Sequence, residues 1–177
     1  MKSKLVAISS ISAGLTAIAL LVGAYFEVAD LCALVISSTF VTLPLYYKSY
    51  KASLLAALAG GLIAFMCSGF NVMSLIFPSF IAFFGVYPIV SSKMQEKNVK
   101  KFVRIMLGII WFVAVAYGMY FYYTAVMGVV LLDIPGWLAD IVLYVIAPLA
   151  VIVFFIYDKF IVLSRMFINR YLGKIVK

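Results

Sequence analysis

The chain has 177 residues, of which 67% are hydrophobic and only 11% are charged, and its mean hydropathy is +1.21. Soluble domains average about 45–50% apolar and about 25% charged residues, so this composition excludes a water-soluble fold of this size. The net charge of +8 sits in short clusters between apolar runs. That placement favours contact with anionic lipid headgroups and argues against nucleic-acid binding.

Six apolar runs approach or reach the length of about 20 residues that a helix needs to cross the hydrocarbon core of a bilayer. They cover residues 5–25, 31–47, 52–69, 72–90, 105–127 and 138–163. The polar segments between them are short, and neither a flexible linker nor an internal repeat divides the chain. The sequence therefore predicts an all-α fold, a bundle of six transmembrane helices forming one membrane-embedded domain over residues 1–177.

The charges predict how this bundle lies in the membrane. When successive segments are placed on alternate sides, all 14 lysines and arginines fall on the side of the two chain ends. Four of the six acids fall on or near the other side, namely Glu27, Asp30, Asp133 and Asp140. Because basic residues favour the cytoplasmic side, we predict a multi-pass protein of the cell membrane with both ends in the cytoplasm.

Polar side chains recur at helical spacing where the last predicted helix begins. Asp133, Trp137, Asp140 and Tyr144 are separated by four, three and four residues, so they line one face of its outer end. Carboxylates within apolar helices usually face a cavity or the bundle interior and are functional, which is our interpretation of Asp140. The alternative, favoured for Asp133, is that the acids cap the helix and interact with its positive end.

These residues belong to a larger outward-facing region that is rich in acids and aromatic rings and contains no basic side chain. Such a region suits a small neutral or cationic molecule, held by carboxylates and by stacking or cation–π contact. The predicted substrate-binding residues are Asp140, Trp137, Tyr144, Tyr117, Tyr120, Asn71, Glu27 and Asp30.

Catalytic chemistry is not indicated anywhere along the chain. There is no histidine, the two cysteines Cys32 and Cys67 form no CxxC unit, and no hydrolase, metalloprotease or phosphate-loop motif occurs. We therefore predict that the protein is not an enzyme and carries neither a cofactor nor a metal ion. Acids and bases are also missing from the middle of the predicted spans, which argues against an ion pump or channel.

Small residues follow one face of the first and of the third helix, where they allow close helix packing. On the first helix this face includes Ser9, Ala13 and Ala17, and it could pack inside the bundle or dock a partner subunit. On the third helix we predict packing inside the bundle for Ser53, Ala57, Gly60, Gly61, Ala64 and Ser68. The prolines Pro78 and Pro148 lie within predicted helices and are expected to kink them, either for packing or to open a cavity.

The chain resembles the substrate-binding S components of energy-coupling factor transporters in its length and its six helices with both ends inside. The segment 13–17, AGLTA, is similar to the AxxxA pattern with which S components dock on their coupling protein, and residues 52–62 resemble the third helix of that family. The resemblance implies a bacterial subunit that captures a vitamin or another micronutrient among helices 4 to 6. Its partners would be a transmembrane coupling protein and two ATPase subunits.

One feature departs from that family and keeps an alternative open. The first external segment, residues 26–30, is very short and would make a poor lid over a ligand. A membrane scaffold of similar size and topology, resembling the rod-shape protein MreD, would use its small-residue faces to hold partners and would need no ligand cavity. The scaffold predicts that Asp140 tolerates replacement by asparagine or leucine.

Overall fold

The computed structural model describes residues 2–70, 74–127 and 136–175. These residues form seven α-helices: α1 (Lys2–Tyr25), α2 (Asp30–Val41), α3 (Tyr50–Cys67), α4 (Ile76–Ser79), α5 (Tyr87–Glu96), α6 (Lys101–Met127) and α7 (Gly136–Ile175). Two 3₁₀ helices, Glu27–Ala29 and Leu43–Tyr47, join α1 to α2 and extend α2, and a π-helix, Phe80–Phe84, follows α4.

Six helical stretches among the described residues are long and apolar enough to cross a membrane, and this confirms the predicted all-α bundle. In chain order, the first, third and fifth spans lie in α1, α3 and α6, and the sixth, within α7, is Tyr144–Tyr171. The second span combines α2 with the 3₁₀ helix that follows it, and the fourth span combines α4, the π-helix and α5. Six crossings place the beginning of α1 and the end of α7 at the same end of the bundle.

The two ends of the bundle differ in charge. The basic end contains the start of α1, the α2–α3 and α5–α6 connections and the end of α7, with Lys4, Lys48 and Lys97. The acidic end contains the α1–α2 connection with Glu27 and Asp30, together with the end of α6.

Three predicted boundaries differ from the structure for local reasons. The second helix tightens to 3₁₀ geometry after Val41 because Pro44 has no N–H to donate. The fourth, predicted as one helix over 72–90, begins at Ile76 and is interrupted before Tyr87. The last, predicted to end at 163, continues to Ile175, because residues 164–172 contain neither glycine nor proline that would end the helix.

The fourth span is the centre of the bundle. In its most apolar stretch 61% of the residues are buried, against 17% to 39% in the other five spans. Phe83 of the π-helix packs against the rings of Tyr87, Phe112 and Tyr157, with centroids 4.9, 4.7 and 5.7 Å away. Helices α5, α6 and α7 therefore meet around one aromatic core.

Helices α1 and α3 form a second, closely packed contact through small residues. A Cβ atom added at Gly60 would lie 2.8 Å from the backbone oxygen of Ala13 and 2.9 Å from Cβ of Thr16. Only glycine permits this approach of the two backbones. Ser53, Ala57, Gly60, Gly61 and Ala64 are buried, which confirms that this face packs inside the bundle, whereas Ser68 is half-buried just after the end of α3.

Candidate functional site

The predicted outer site lies partly outside the described residues. Asn71 and Asp133 are not described, and for Glu27, Trp137 and Asp140 the structure describes the backbone but not the side chain. Their predicted contacts with a substrate stay predictions. The backbone of Trp137 and Asp140 belongs to the first turns of α7, at the acidic end.

The other predicted substrate-binding residues occupy different environments. Tyr117 and Tyr120 are half-buried on the half of α6 nearest the acidic end, and Asp30 is the half-buried first residue of α2. Tyr144 of α7 is 81% exposed, so its side chain projects away from its neighbours among the described residues.

A cavity of about 380 Å³ opens between these elements towards the acidic end. Its walls come from α2, α6, α7 and the residue before α4, and they include Leu31, Leu75, Phe112, Met119, Tyr120 and Ile146. The walls are almost wholly apolar, and Tyr120 is the predicted site residue that lines them. Its volume falls within the range of about 300–1,000 Å³ that is typical of small-molecule sites.

The fourth span is interrupted next to this cavity. Pro78 in α4 is followed by the π-helix, whose wider turn is closed by a hydrogen bond of 2.7 Å from the Gly85 N–H to the Phe80 oxygen. Helix α5 then restarts at Tyr87 with Pro88 in its first turn. Pro78, which was expected to kink its helix, therefore precedes a change of helix geometry. Single π-turns within helices occur frequently at functional sites.

A buried ion pair lies beside α5, on the side of this interruption that is nearer the basic end. The Arg104 Nη2 atom is 3.2 Å from Oδ2 of Asp158, and the two residues are 4% and 7% exposed. The Tyr87 hydroxyl donates to Oδ1 of Asp158 at 2.6 Å, and Arg104 Nη1 donates to the Ser91 hydroxyl at 3.1 Å. Asp158 therefore joins α7 to both α5 and α6.

This cluster corrects two predictions. The predicted spans 72–90 and 105–127 leave Arg104 in the polar segment between them, but it lies in the first turn of α6 and points into the bundle. Acids and bases are predicted to be missing from the middle of the spans, but Asp158 lies near the middle of the span Tyr144–Tyr171. The signal in the sequence was weak: Asp158 follows a long apolar run, where a carboxylate requires a partner, but the adjacent Lys159 suggests a polar segment.

The predicted docking residues of α1 lie largely inside the chain. Ala13 and Ala17 are only 8% and 4% exposed, so the small-residue face adopts the arrangement in which it packs inside the bundle. Ser9 is half-buried at the edge of this contact and donates to the Leu5 oxygen at 2.8 Å. Beside it, a groove of about 300 Å³ between α1 and α3 is lined by Ser9, Ser10, Ala13, Ala52, Ala56 and Ala59 among others.

The two cysteines remain separate thiols. Cys32 and Cys67 are both free and exposed, and each lies near the acidic end of its helix. Within the described part of the chain, no three histidine, cysteine, aspartate or glutamate side chains come together as a metal site.

Comparison with protein-family models, curated proteins and solved structures gave no match for this chain. Its function is therefore inferred from the geometry and chemistry of its own residues.

Proposed function

We propose that the chain is the substrate-capture subunit of an ATP-driven importer of the energy-coupling factor type, in a bacterial cell membrane. The observation that supports this most directly is the cavity at the acidic end, beside an interrupted transmembrane helix. In many secondary transporters the substrate site is built at discontinuous helices, and an interrupted helix beside a cavity is the same kind of feature. In this proposal the basic end faces the cytoplasm, so the cavity opens towards the outside.

The ligand is a small neutral or cationic molecule, such as a vitamin or a similar micronutrient. Apolar walls around Leu31 and Phe112 exclude water and favour a ring system, while the Tyr120 hydroxyl offers one polar contact. Asp140 and Trp137 lie on α7 nearer the acidic end than Ile146, and they would supply the charge and the stacking surface. The remaining predicted contacts, from Glu27, Asp30, Asn71, Tyr117 and Tyr144, belong to the same proposal.

The energy comes from partner subunits. A transmembrane coupling protein and two ATPases are proposed to bind at the basic end and along the groove between α1 and α3. Exposed Ala59 and half-buried Ala52 border this groove, and small residues allow a partner helix to approach the backbone closely. In this proposal the partner contacts the groove beside Ser9 and Ala13, whereas Ala17 packs against the rest of the bundle.

Ligand capture can be tested on the purified chain in detergent. Water-soluble vitamins and small amines are added one at a time, and the midpoint of thermal unfolding is measured. A compound present at 100 times its Kd stabilises the folded chain by about 2.7 kcal/mol, which is a measurable shift.

Substitutions in the wall of the cavity at the acidic end (the outer cavity) show whether the compound binds there. Tyr120→Ala is expected to abolish the shift, whereas Phe121→Ala, which removes the neighbouring ring that is 62% exposed, is expected to keep it. Asp140→Asn is expected to weaken the shift for a cationic compound. A compound that stabilises Tyr120→Ala as strongly as the unmodified chain would contradict the proposed site, and unchanged binding to Asp140→Asn would remove Asp140 from it.

A further inference from the structure

A second and larger cavity, of about 800 Å³, lies at the basic end and shares no lining residue with the proposed capture site. It is bounded by the end of α5, the first turns of α6 and the inner half of α7. Its polar lining consists of Gln95, Asn98, Lys101, Arg104, Asp158 and Lys159.

The charges around this cavity leave it strongly positive. Both oxygens of Asp158 are occupied, one by Arg104 and the other by Tyr87, so this acid and Arg104 neutralise each other. Lys101 and Lys159 are exposed at the rim, and neither forms an ion pair with an acid of the described residues. Two uncompensated positive charges therefore face the opening.

The buried arginine adds a donor that the protein itself does not use. Among the described residues no acceptor lies within hydrogen-bonding distance of the buried Nε of Arg104, although this side chain lines the cavity and is only 4% exposed. Leaving a charged donor without an acceptor is costly. The first turn of α6 also borders the cavity, and its free N–H groups carry a partial positive charge.

The rest of the lining is hydrocarbon. Phe155 of α7 and Ile105 of α6 form an apolar wall one turn closer to the acidic end than Lys159 and Lys101, and Val162, Leu163 and Met166 follow Lys159 towards the basic end. A free inorganic anion would gain nothing from this wall. A molecule with an anionic head and an apolar tail would gain from both parts.

We propose that this cavity binds the phosphate headgroup of an anionic phospholipid from the leaflet at the basic end, with an acyl chain along Ile105 and Phe155, which lie on the bilayer side of the two lysines. Basic cavities between transmembrane helices on the cytoplasmic side are suited to such headgroups. The bound phosphate accepts from Lys101 and Lys159 at the rim, and the partial charge of the α6 N-terminus favours the same position. This site does not depend on the function proposed for the outer cavity.

Native mass spectrometry of the full-length chain in detergent tests this proposal. The chain is offered equal amounts of phosphatidylglycerol and phosphatidylcholine with identical acyl chains, and the ratio of the two bound lipids is measured. We expect phosphatidylglycerol to dominate. The double substitution Lys101→Gln with Lys159→Gln is expected to lower the ratio by roughly thirtyfold, since each lysine near a lipid phosphate contributes about fivefold.

A matched control removes the same charge from the same end of the protein. Lys4→Gln with Lys51→Gln alters two exposed lysines of α1 and α3 that do not line the cavity. This variant is expected to keep the ratio within about twofold of the unmodified chain, because exposed charges away from the site contribute little. The thermal unfolding midpoints of both variants are measured to check that they are folded, and no change is expected because all four lysines are exposed.

Three results would overturn the proposal. The first is an unchanged lipid ratio in Lys101→Gln/Lys159→Gln, and the second is an equal loss in the control, which would mean attraction to the whole basic end. The third is displacement of the lipid by inorganic phosphate at a similar concentration. That result would assign the cavity to a free phosphate instead of a phospholipid.

Discussion

Replacing Asp158 by asparagine tests whether the buried ion pair holds three helices together. Asparagine has nearly the same shape and keeps an oxygen that can accept from the Tyr87 hydroxyl, now 2.6 Å from the carboxylate. The substitution therefore removes little except the negative charge. It leaves the Arg104 guanidinium, which is 4% exposed, buried without its counter-ion.

The expected loss of stability follows from that uncompensated charge. Removing one partner of a buried pair typically costs about 3–5 kcal/mol, and we expect a value of about 3 kcal/mol because the amide oxygen retains one hydrogen bond. Adding Arg104→Gln to Asp158→Asn removes the second charge as well. Since both charges then leave the interior together, the double variant is expected to recover to within about 1 kcal/mol of the unmodified chain.

The free energy of unfolding can be measured by titrating sodium dodecyl sulfate into the protein in a non-ionic detergent. Fluorescence of Trp111 is a suitable signal, because its ring lies 5.6 Å from that of Phe83 in the aromatic core. A loss below about 1 kcal/mol for Asp158→Asn would refute this reasoning, as the typical cost of a broken buried pair is several times larger. A double variant no more stable than Asp158→Asn would refute it equally.

Two further predictions concern helix packing and orientation. Gly108→Ala should destabilise the chain by about 1–3 kcal/mol in the same titration, because an added Cβ would lie 2.4 Å from Cζ of Phe154. Gly118→Ala on the same helix, where an added Cβ would have no atom within 4 Å, should stabilise the chain by about 0.5–1 kcal/mol. Equal effects of the two substitutions would contradict this packing. The orientation is tested in a chain whose own cysteines are changed to serine. Val28→Cys should react with a membrane-impermeant maleimide on intact cells, since Val28 is fully exposed at the acidic end, while Lys97→Cys at the basic end should react only after permeabilisation. The reverse pattern would mean that the basic end faces the outside.

The overall fold could be predicted from the sequence because its signals are strong and local. Apolar runs about as long as a bilayer is thick predict the number of spans, and the small residues of α3 from Ser53 to Ala64 predict its buried face. The interruption of the fourth span could not be predicted in this way. The π-helix Phe80–Phe84 is as apolar as a regular helix, and its geometry depends on how its rings pack against α6 and α7.

The ion pair shows a different limit of prediction from sequence. Arg104 resembles any lysine or arginine of a cytoplasmic connection, and Asp158 is adjacent to Lys159, which suggests a polar segment rather than an interior. Their sequence positions are 54 residues apart, and only the packing of α6 on α7 brings them within 3.2 Å. By contrast, Tyr120 was predicted from its position on the outer half of α6, and it does line the outer cavity.

The association with ATPase subunits is the central claim of the proposed function, and co-purification from the native membrane tests it most directly. The chain is tagged at its C-terminus and isolated beside two variants with the same change, Ala59→Leu in the groove between α1 and α3 and Ala114→Leu on the exposed side of α6. We expect the unmodified chain and Ala114→Leu to bring down a transmembrane coupling protein and two ATPases, and Ala59→Leu to lose them. Recovery of cell-wall or other membrane proteins without any ATPase would contradict the account and favour a membrane scaffold.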